Sequence, residues 1–116
     1  MVKKKRLGYL NKKEQKVVEL FVKELRDKLK DEIVSIRFFG SKTKGNYKKD
    51  SDIDILILVK KKTSEISRKL AEITADYDLK YGLPLSPVLY DLFEQQKNKE
   101  LGSFFFENIE KEGIML

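Results

Sequence analysis

The sequence predicts an α/β (α+β) protein, a two-layer fold in which helices pack on a small mixed β-sheet. Three short runs rich in β-branched and aliphatic residues have the character of strands. Segments with apolar residues at helical spacing stand before and after them. The predicted order is helix, strand, loop, strand, helix, strand, helix, which is typical of a layered architecture. Because 116 residues suffice for one core, we expect residues 1–116 to form a single domain.

The composition limits the chemistry that the protein can perform. The chain has no cysteine and no histidine, which excludes disulfides, thiolate metal sites and imidazole ligands. Any bound metal must then be held by oxygen atoms, as Mg²⁺ and Mn²⁺ are. We therefore expect Mg²⁺, with Mn²⁺ as the alternative.

Charge and hydropathy bear on partners and location. The net charge is +6, and 38% of the residues are charged. Such a surface either attracts polyanions, such as nucleic acid or nucleotides, or keeps the protein soluble through many ion pairs, and we favour the second. No apolar run reaches membrane-spanning length, and the Lys-rich start lacks the apolar core of a signal peptide. We expect a soluble, cytoplasmic protein with no membrane partner.

The first helix follows a basic start. Residues 1–8 are expected to form a flexible basic tail; as an alternative, the tail is an electrostatic arm for nucleic acid or a partner. Asn11 and Glu14 have the spacing of a capping box. Apolar residues then recur at helical spacing through about Lys30, namely Val17, Val18, Phe21, Leu25 and Leu29. This pattern predicts a helix that packs on the sheet.

A strand and a glycine turn come next. The strand Val34–Phe39 is β-branched and aromatic, and it stops at Gly40. Glycine allows close approach of the backbone to a ligand, and the free N–H groups after it form an anion site if a helical turn begins there. Ser41 adds a hydroxyl. Lys42 and Lys44 add positive charge, or they are ordinary surface lysines.

The second apolar run opens with two carboxylates. Asp52 and Asp54 point to the same face of a strand, about 6.5–7 Å apart along the backbone. Beyond them the run is apolar on both faces through Val59, which predicts a buried strand. Two acids at the mouth of a buried strand repel each other and resist desolvation. Mg²⁺, which takes one or two carboxylates plus substrate phosphates, would remove both problems; the alternative is a solvent-facing strand start.

The residue pattern in the middle of the chain predicts a second helix and a third strand. Thr63 or Ser64 caps the helix, which ends at Gly82. Its apolar stripe consists of Ile66, Leu70, Ile73 and Tyr77. The third strand is Leu85–Tyr90, where Pro87 indicates a sheet edge or a bulge.

The end of the chain predicts one more helix and an extended tail. Ser103 is expected to cap this helix, which runs through Lys111 and ends at Gly113. Its apolar residues are Phe104, Phe105, Phe106 and Ile109. The last three residues, 114–116, form an extended tail that can join the sheet.

The glycine turn and the acidic strand together resemble a known family. Gly40-Ser41, Gly45 and Asp52-x-Asp54 match the G-S-x-x-x-G…S-D-x-D pattern of the DNA polymerase β-like nucleotidyltransferase superfamily, and the short chain is most similar to its minimal nucleotidyltransferases. The resemblance implies a nucleotidyltransferase-like fold. It also implies that a nucleoside monophosphate, AMP from ATP being the first expectation, is transferred to a hydroxyl while pyrophosphate leaves.

The resemblance assigns roles to these residues. Asp52 and Asp54 are implied as catalytic residues and as the ligands of Mg²⁺. The nucleoside triphosphate is implied to be held by Gly40, Ser41, Lys42, Lys44, Gly45 and Ser51. Tyr47, in the polar loop, either stacks on the base or ribose or packs over the sheet.

A third carboxylate is less clear. The superfamily usually presents it from the strand that corresponds to Leu85–Tyr90, where this chain has no acid. Asp91 is the nearest candidate for the catalytic role, although with Glu94 it forms a capping-box pattern that starts a short helix, and we favour the cap. Asp76 and Asp78 are expected to be surface charges. An enzyme and a nucleotide binder without turnover both remain open.

The resemblance also implies a partner. Minimal nucleotidyltransferases commonly pair with a small helical protein of the higher eukaryote and prokaryote nucleotide-binding (HEPN) class, as the antitoxin of a toxin–antitoxin pair that in some cases adenylylates the toxin. The alternative is an interaction subunit that neutralises its partner by contact, with the run 104–106 as the interface. A nucleic-acid-binding module is a third hypothesis, supported by charge alone.

Overall fold

The computed structural model describes residues 7–44 and 52–116. The predictions for the basic tail at residues 1–6, and for Gly45, Tyr47 and Ser51, lie outside the described residues. The same holds for the side chains of Ser41 and Lys44, whose backbone is described. Along the described ranges, none of the helices combines the length and apolar character needed to cross a membrane.

The helices and strands follow the predicted order, with a one-turn helix in the segment predicted as a loop. In chain order they are α1 (Lys12–Leu29), β1 (Ile33–Phe39), α2 (Ser41–Lys44), β2 (Ile53–Val59), α3 (Ser64–Tyr81), β3 (Leu85–Asp91), α4 (Leu92–Glu100), α5 (Phe105–Glu112) and β4 (Ile114–Met115). A single 3₁₀ turn, Lys30–Glu32, joins α1 to β1. The predicted mixed α/β class is confirmed.

The four strands of the described residues form one mixed sheet in the order β3-β2-β1-β4. Strand β1 is antiparallel to β2 and to β4, whereas β2 and β3 are parallel. Strand β3 is therefore an edge strand, as Pro87 indicated, because proline cannot donate to a neighbouring strand. The chain's last residues join the opposite edge as β4, which confirms the predicted extended tail.

The main core lies between one face of the sheet and the two long helices. The apolar stripes predicted for α1 and α3 are all buried. They meet a set of strand residues with no exposed surface, namely Ile36, Phe38, Ile53, Ile55, Ile57 and Val59. The rings of Phe21 and Tyr77 meet edge-on with centroids 5.4 Å apart, which links the two helices.

The other face of the sheet is partly covered by α5. Leu56 and Leu58 of β2 pack against Phe106 and Ile109 of that helix. Strand β2 is thus buried on both faces after Asp54, as predicted. Because Asp54 shares its face with Leu56 and Leu58, the carboxylate lies on the α5 side of the sheet.

Local signals account for several helix boundaries. Both hydrogen bonds of the predicted capping box at the start of α1 are present. The Asn11 side chain accepts from the amide of Glu14 at 2.8 Å. Thr63 caps α3 by accepting from the amide of Ile66 at 3.2 Å. The helix ends at Gly82, whose φ of 64° is in the left-handed region.

The start of α5 and the packing of residues 7–8 differ from the prediction. Helix α5 begins at Phe105 with Phe104 in the capping position, and Ser103 accepts only from the first helical amide, at 3.3 Å. The hydroxyl therefore makes a local turn instead of capping the helix at the predicted position. Leu7 and Gly8, predicted as the end of a flexible tail, are instead packed, since Leu7 is 8% exposed and lies in the main core.

Candidate functional site

Asp52 and Asp54 are at the beginning of β2 on one face of the sheet. Asp52 immediately precedes the strand and is exposed, whereas Asp54 is its second residue and is half-buried. Burial raises the pKa of Asp54, and the negative charge of Asp52 raises it further. The two carboxylates are therefore close enough to repel each other, and we call them the aspartate pair.

The glycine turn lies directly against this pair. Gly40 follows β1, whose last residue, Phe39, pairs with Asp54 across the sheet. A Cβ atom at Gly40 would collide with the Oδ2 atom of Asp54. The φ angle of Gly40 is 91°, a conformation that L side chains rarely adopt. Only glycine satisfies both conditions, so the turn and the carboxylate approach each other closely because of this residue.

Helix α2 makes a single helical turn after Gly40. The amide of Thr43 donates to the carbonyl oxygen of Gly40 at 3.1 Å, and its hydroxyl donates to the same oxygen at 2.6 Å. Residues 40–43, called the Gly40 turn below, are therefore fixed by two hydrogen bonds to one carbonyl. A helical turn, on which the expected anion site depends, is therefore present after Gly40.

Lys42 is placed inside the protein. Its side chain is 2% exposed, and its Nζ atom lies 2.7 Å from Oε2 of Glu14 in α1. Burial raises the pKa of Glu14, but the hydrogen bonds from Lys42 and from the Asn11 amide, with the charge of Lys42, bring it below its ordinary value. Because its ammonium group is engaged with Glu14, we do not propose Lys42 as a phosphate ligand.

A short segment before α1 crosses the Gly40 turn. The amide of Tyr9 donates to the carbonyl oxygen of Lys42 at 2.9 Å. A Cβ atom at Gly8 would lie 2.9 Å from that same oxygen, and the φ of Gly8 is 52°. Leu7 is tied to α1, since its amide donates to Oε1 of Gln15 at 3.0 Å. We call residues 7–10 the N-terminal strap; Leu7 and Leu10, apolar residues flanking a glycine, were the signal for it in the sequence.

Asp91 is at the wrong end of the sheet to join the aspartate pair. Across the parallel strands, Asp54 pairs with Ser86, whereas Asp91 pairs with Val59, five residues further on. That spacing corresponds to about 16 Å along the strand. Asp91 instead caps α4, as the sequence favoured, so it is no longer a candidate third ligand.

The environment of Asp91 matches a structural role. Its carboxylate accepts from the amide of Glu94 at 2.8 Å and from the amide of Lys62 at 2.9 Å. These backbone hydrogen bonds lower the pKa of Asp91. Asp76 and Asp78 are exposed on α3, which packs on the other face of the sheet.

Ser86 is the site residue that the sequence did not single out. It is the β3 residue directly beside Asp54, a position that only the register of two parallel strands reveals. In residues 7–44 and 52–116, no third acidic side chain completes a metal-binding group with the aspartate pair. The β3 neighbour of Asp54 is thus a hydroxyl.

A small cleft adjoins the Gly40 turn on the α5 side. Its volume is about 200 Å³, and it is lined by Phe39, Gly40, Thr43, Phe105, Asn108, Ile109, Glu112 and Gly113. The rings of Phe39 and Phe105 meet edge-on, with centroids 6.1 Å apart. Larger grooves of about 510 and 710 Å³ lie along α1 and α3, and neither contains an aspartate of the pair.

The aspartate pair suits a hard divalent cation. Two carboxylates that repel each other, one of them half-buried, leave negative charge uncompensated, and Mg²⁺ would neutralise it. The ligand atoms are oxygens, which Mg²⁺ and Mn²⁺ prefer. The donor set therefore fits the expected ion, with the remaining positions available to water and phosphate oxygens.

Known proteins are similar to this chain in sequence. Residues 18–115 match the family described as "Nucleotidyltransferase domain". A protein of Methanocaldococcus jannaschii named "putative protein adenylyltransferase" is 32% identical over 99 residues, which cover 84% of this chain and 93% of the relative. A second protein of that organism with the same designation is 31% identical over 111 residues, covering 89% and 97%. The chain therefore belongs to the nucleotidyltransferase domain family.

Proposed function

We propose that this protein is a Mg²⁺-dependent nucleotidyltransferase that transfers AMP from ATP to a hydroxyl group of a partner protein. The observation that carries the proposal is the contact between Gly40 and the Asp54 carboxylate, because it brings the phosphate-binding motif and the metal-binding motif together. The names of the two relatives support adenylyl transfer to a protein.

The reaction requires positioning more than covalent chemistry. The hydroxyl oxygen of the acceptor bonds to the α-phosphorus of ATP, the bond from that phosphorus to the β-phosphate breaks, and pyrophosphate leaves with the electron pair. When bound, Mg²⁺ neutralises phosphate charge and favours departure of the pyrophosphate. Asp52 and Asp54 would hold the ion, and the Gly40 turn would align the phosphates beside them.

The neighbour of Asp54 on β3 affects the expected rate. Ser86 stands beside Asp54, and a serine hydroxyl at neutral pH is a poor acceptor for the proton that the attacking hydroxyl must lose. That proton then passes to solvent or to the aspartate pair. We therefore expect slow turnover.

The partner that we propose is a small helical protein of the HEPN class. In this proposal the chain acts as the antitoxin and silences its partner by adenylylation. The support for the HEPN partner is the resemblance of the Gly40–Ser41 and Asp52-x-Asp54 motifs to minimal nucleotidyltransferases. The names of the relatives support adenylylation of a protein. Nucleic acid as a partner has only the net charge of +6 in its favour.

The test is incubation with labelled ATP, Mg²⁺ and the protein encoded beside this one. We expect label on the partner, and loss of it with EDTA or in the double variant Asp52→Asn, Asp54→Asn. The matched control is Asp76→Asn, Asp78→Asn, which removes two exposed carboxylates from α3 and should leave labelling intact. Equal labelling by the wild type and the Asp52, Asp54 variant would refute the enzymatic proposal.

A second candidate function is silencing by contact alone. The observation that favours it is Ser86 in place of an acid beside Asp54, combined with apolar side chains that stand in solvent, since Phe93 and Phe104 are 68% and 67% exposed. If the Asp52, Asp54 double variant still binds and fully silences the partner, this second function replaces the first.

A further inference from the structure

The ion pair between Lys42 and Glu14 is unusual for a lysine beside a proposed phosphate site. Lys42 stands two residues after Gly40, yet its side chain is 2% exposed and its Nζ atom lies 2.7 Å from Glu14. Removing a lysine and a glutamate from water is costly, and an apolar contact would hold α2 to α1 at least as well. What a hydrogen-bonded ion pair adds to an apolar contact is a defined geometry.

The carboxylate of Glu14 is also oriented by a hydrogen bond other than that from Lys42. Its Oε1 atom accepts from the amide of Asn11 at 3.0 Å, while Oε2 accepts from Lys42. The amide of Glu14 donates in turn to Asn11 at 2.8 Å. Both carboxylate oxygens are thus engaged, so the position of Lys42 is fixed relative to the start of α1.

The N-terminal strap holds the same turn from its backbone. Tyr9 donates to the carbonyl oxygen of Lys42 at 2.9 Å, and Gly8 packs against that carbonyl. Thr43 closes the turn by donating twice to Gly40. The Gly40 turn is therefore tied to α1 through the Lys42 side chain and to the strap through the Lys42 carbonyl.

We infer that the Glu14–Lys42 ion pair is a positioning device that sets the distance between the Gly40 turn and the aspartate pair. This inference rests on the proposed function. Gly40 touches Asp54 so closely that a Cβ does not fit between them, and displacements of about 1 Å in such sites cost on the order of 100-fold in rate. Lys42 is then a positioning residue, and its ammonium group stays on Glu14 when the nucleotide binds.

The charge of Glu14 makes the inference testable against simple electrostatics. Glu14→Gln removes a negative charge beside Lys42, so an anion should bind the variant more tightly if Lys42 is a phosphate ligand. If the pair positions the turn, the same variant should bind more weakly. The two outcomes have opposite signs.

The experiment is calorimetric titration with Mg²⁺ and a non-hydrolysable ATP analogue, together with the KM for ATP and kcat. We expect Glu14→Gln and Lys42→Met to weaken nucleotide binding about tenfold or more, and Lys42→Arg, which can keep the ion pair, to recover most of the loss. The matched control is Lys69→Met, because Lys69 pairs with Glu65 at 3.2 Å on the exposed side of α3. Its nucleotide affinity should equal that of the wild type.

A second measurement uses the wild type and so does not depend on whether the variants fold. Lysines are acetylated with a limiting amine-reactive reagent, and each site is quantified by mass spectrometry with and without the Mg²⁺–nucleotide complex. Lys42 should react far more slowly than Lys69 in both states. A Lys42 that reacts freely without nucleotide and is protected by it would overturn the inference.

The possible failures are distinguishable. A wild type that takes up no Mg²⁺–nucleotide complex refutes the proposed function, and the positioning role falls with it. A wild type that binds, alongside a Glu14→Gln variant that binds equally well or better, refutes the positioning role alone.

Discussion

The two ends of the parallel strand pair β2–β3 hold carboxylates in opposite environments. At its beginning, burial and the charge of Asp52 raise the pKa of Asp54. At its end, beside Val59, backbone amides lower the pKa of Asp91. One carboxylate is disfavoured as an anion by the fold around it, and the other is stabilised as one. The difference separates a residue proposed to bind a metal ion from a residue that caps a helix, although both are aspartates at the ends of one strand pair.

The largest expected effect comes from breaking the contact at the beginning of β2. Gly40→Ala places a Cβ against the Asp54 carboxylate at a φ of 91°, so we expect loss of nucleotide binding and a transfer rate lowered by about 100-fold or more. Backbone strain should also lower the free energy of unfolding by about 1–3 kcal/mol. Calorimetry and a thermal melt measure the two effects.

Gly82→Ala is the matched control for that variant. The φ of Gly82 is 64°, and no atom lies within 4 Å of where its Cβ would be. Comparable backbone strain is thus expected without any change in nucleotide affinity. A Gly40→Ala variant that binds as well as Gly82→Ala would contradict the assignment of the site.

A gain of function would sharpen the comparison. Ser86→Asp puts a carboxylate beside Asp54, the position at which a base can take the proton of the acceptor hydroxyl. General bases contribute about 10²–10⁴-fold, so we expect turnover to rise by about tenfold or more. In the metal-free protein the added charge should lower the melting temperature. Unchanged turnover together with an unchanged melt would mean that residue 86 does not share the site.

Two single substitutions should shift stability in opposite directions. Asp54→Asn removes the repulsion with Asp52 and the burial of a charge, so the melting temperature of the metal-free protein should rise while Mg²⁺ binding is lost. Asp91→Ala removes the cap of α4, so the melting temperature should fall while nucleotide affinity stays the same. Shifts of the same sign would show that the two ends do not differ as described.

The smallest expected effect is a dependence on pH. Because the folded-state pKa of Asp91 lies below its ordinary value of 3.8, its charge stabilises the fold above that pH, and the contribution is lost as the pH falls through the folded-state pKa. Asparagine also caps helices well. The stability advantage of the wild type over Asp91→Asn should therefore shrink below about pH 4, as followed by urea unfolding.

The sequence predicts the elements whose causes are local. The apolar stripes of α1 and α3, the capping boxes at Asn11 and Asp91 and the stop at Gly82 depend on residues a few positions apart. The aspartate pair and the Gly40 turn were also predictable, because the alternation of a strand and the conformational freedom of glycine are local properties.

The remaining features of the site depend on contacts between distant residues. Lys42 and Glu14 are 28 positions apart, so nothing in the turn itself indicates that its lysine is buried. Ser86 becomes part of the site only through the register of two parallel strands. Leu7 and Gly8 follow a basic run, whose charge predicts a flexible tail. Their packing depends instead on contacts with α1 and α2, which the local sequence does not indicate.

The proline in β3 has a consequence for handling the protein. An edge strand offers unpaired amides and carbonyls on which another chain can build, and Pro87 interrupts that row in the middle of β3. At the opposite edge, β4 contributes only Ile114 and Met115. Neither border of the sheet is a long template for strand addition, so concentrated samples should resist cross-β aggregation, and Pro87→Val should make them prone to it.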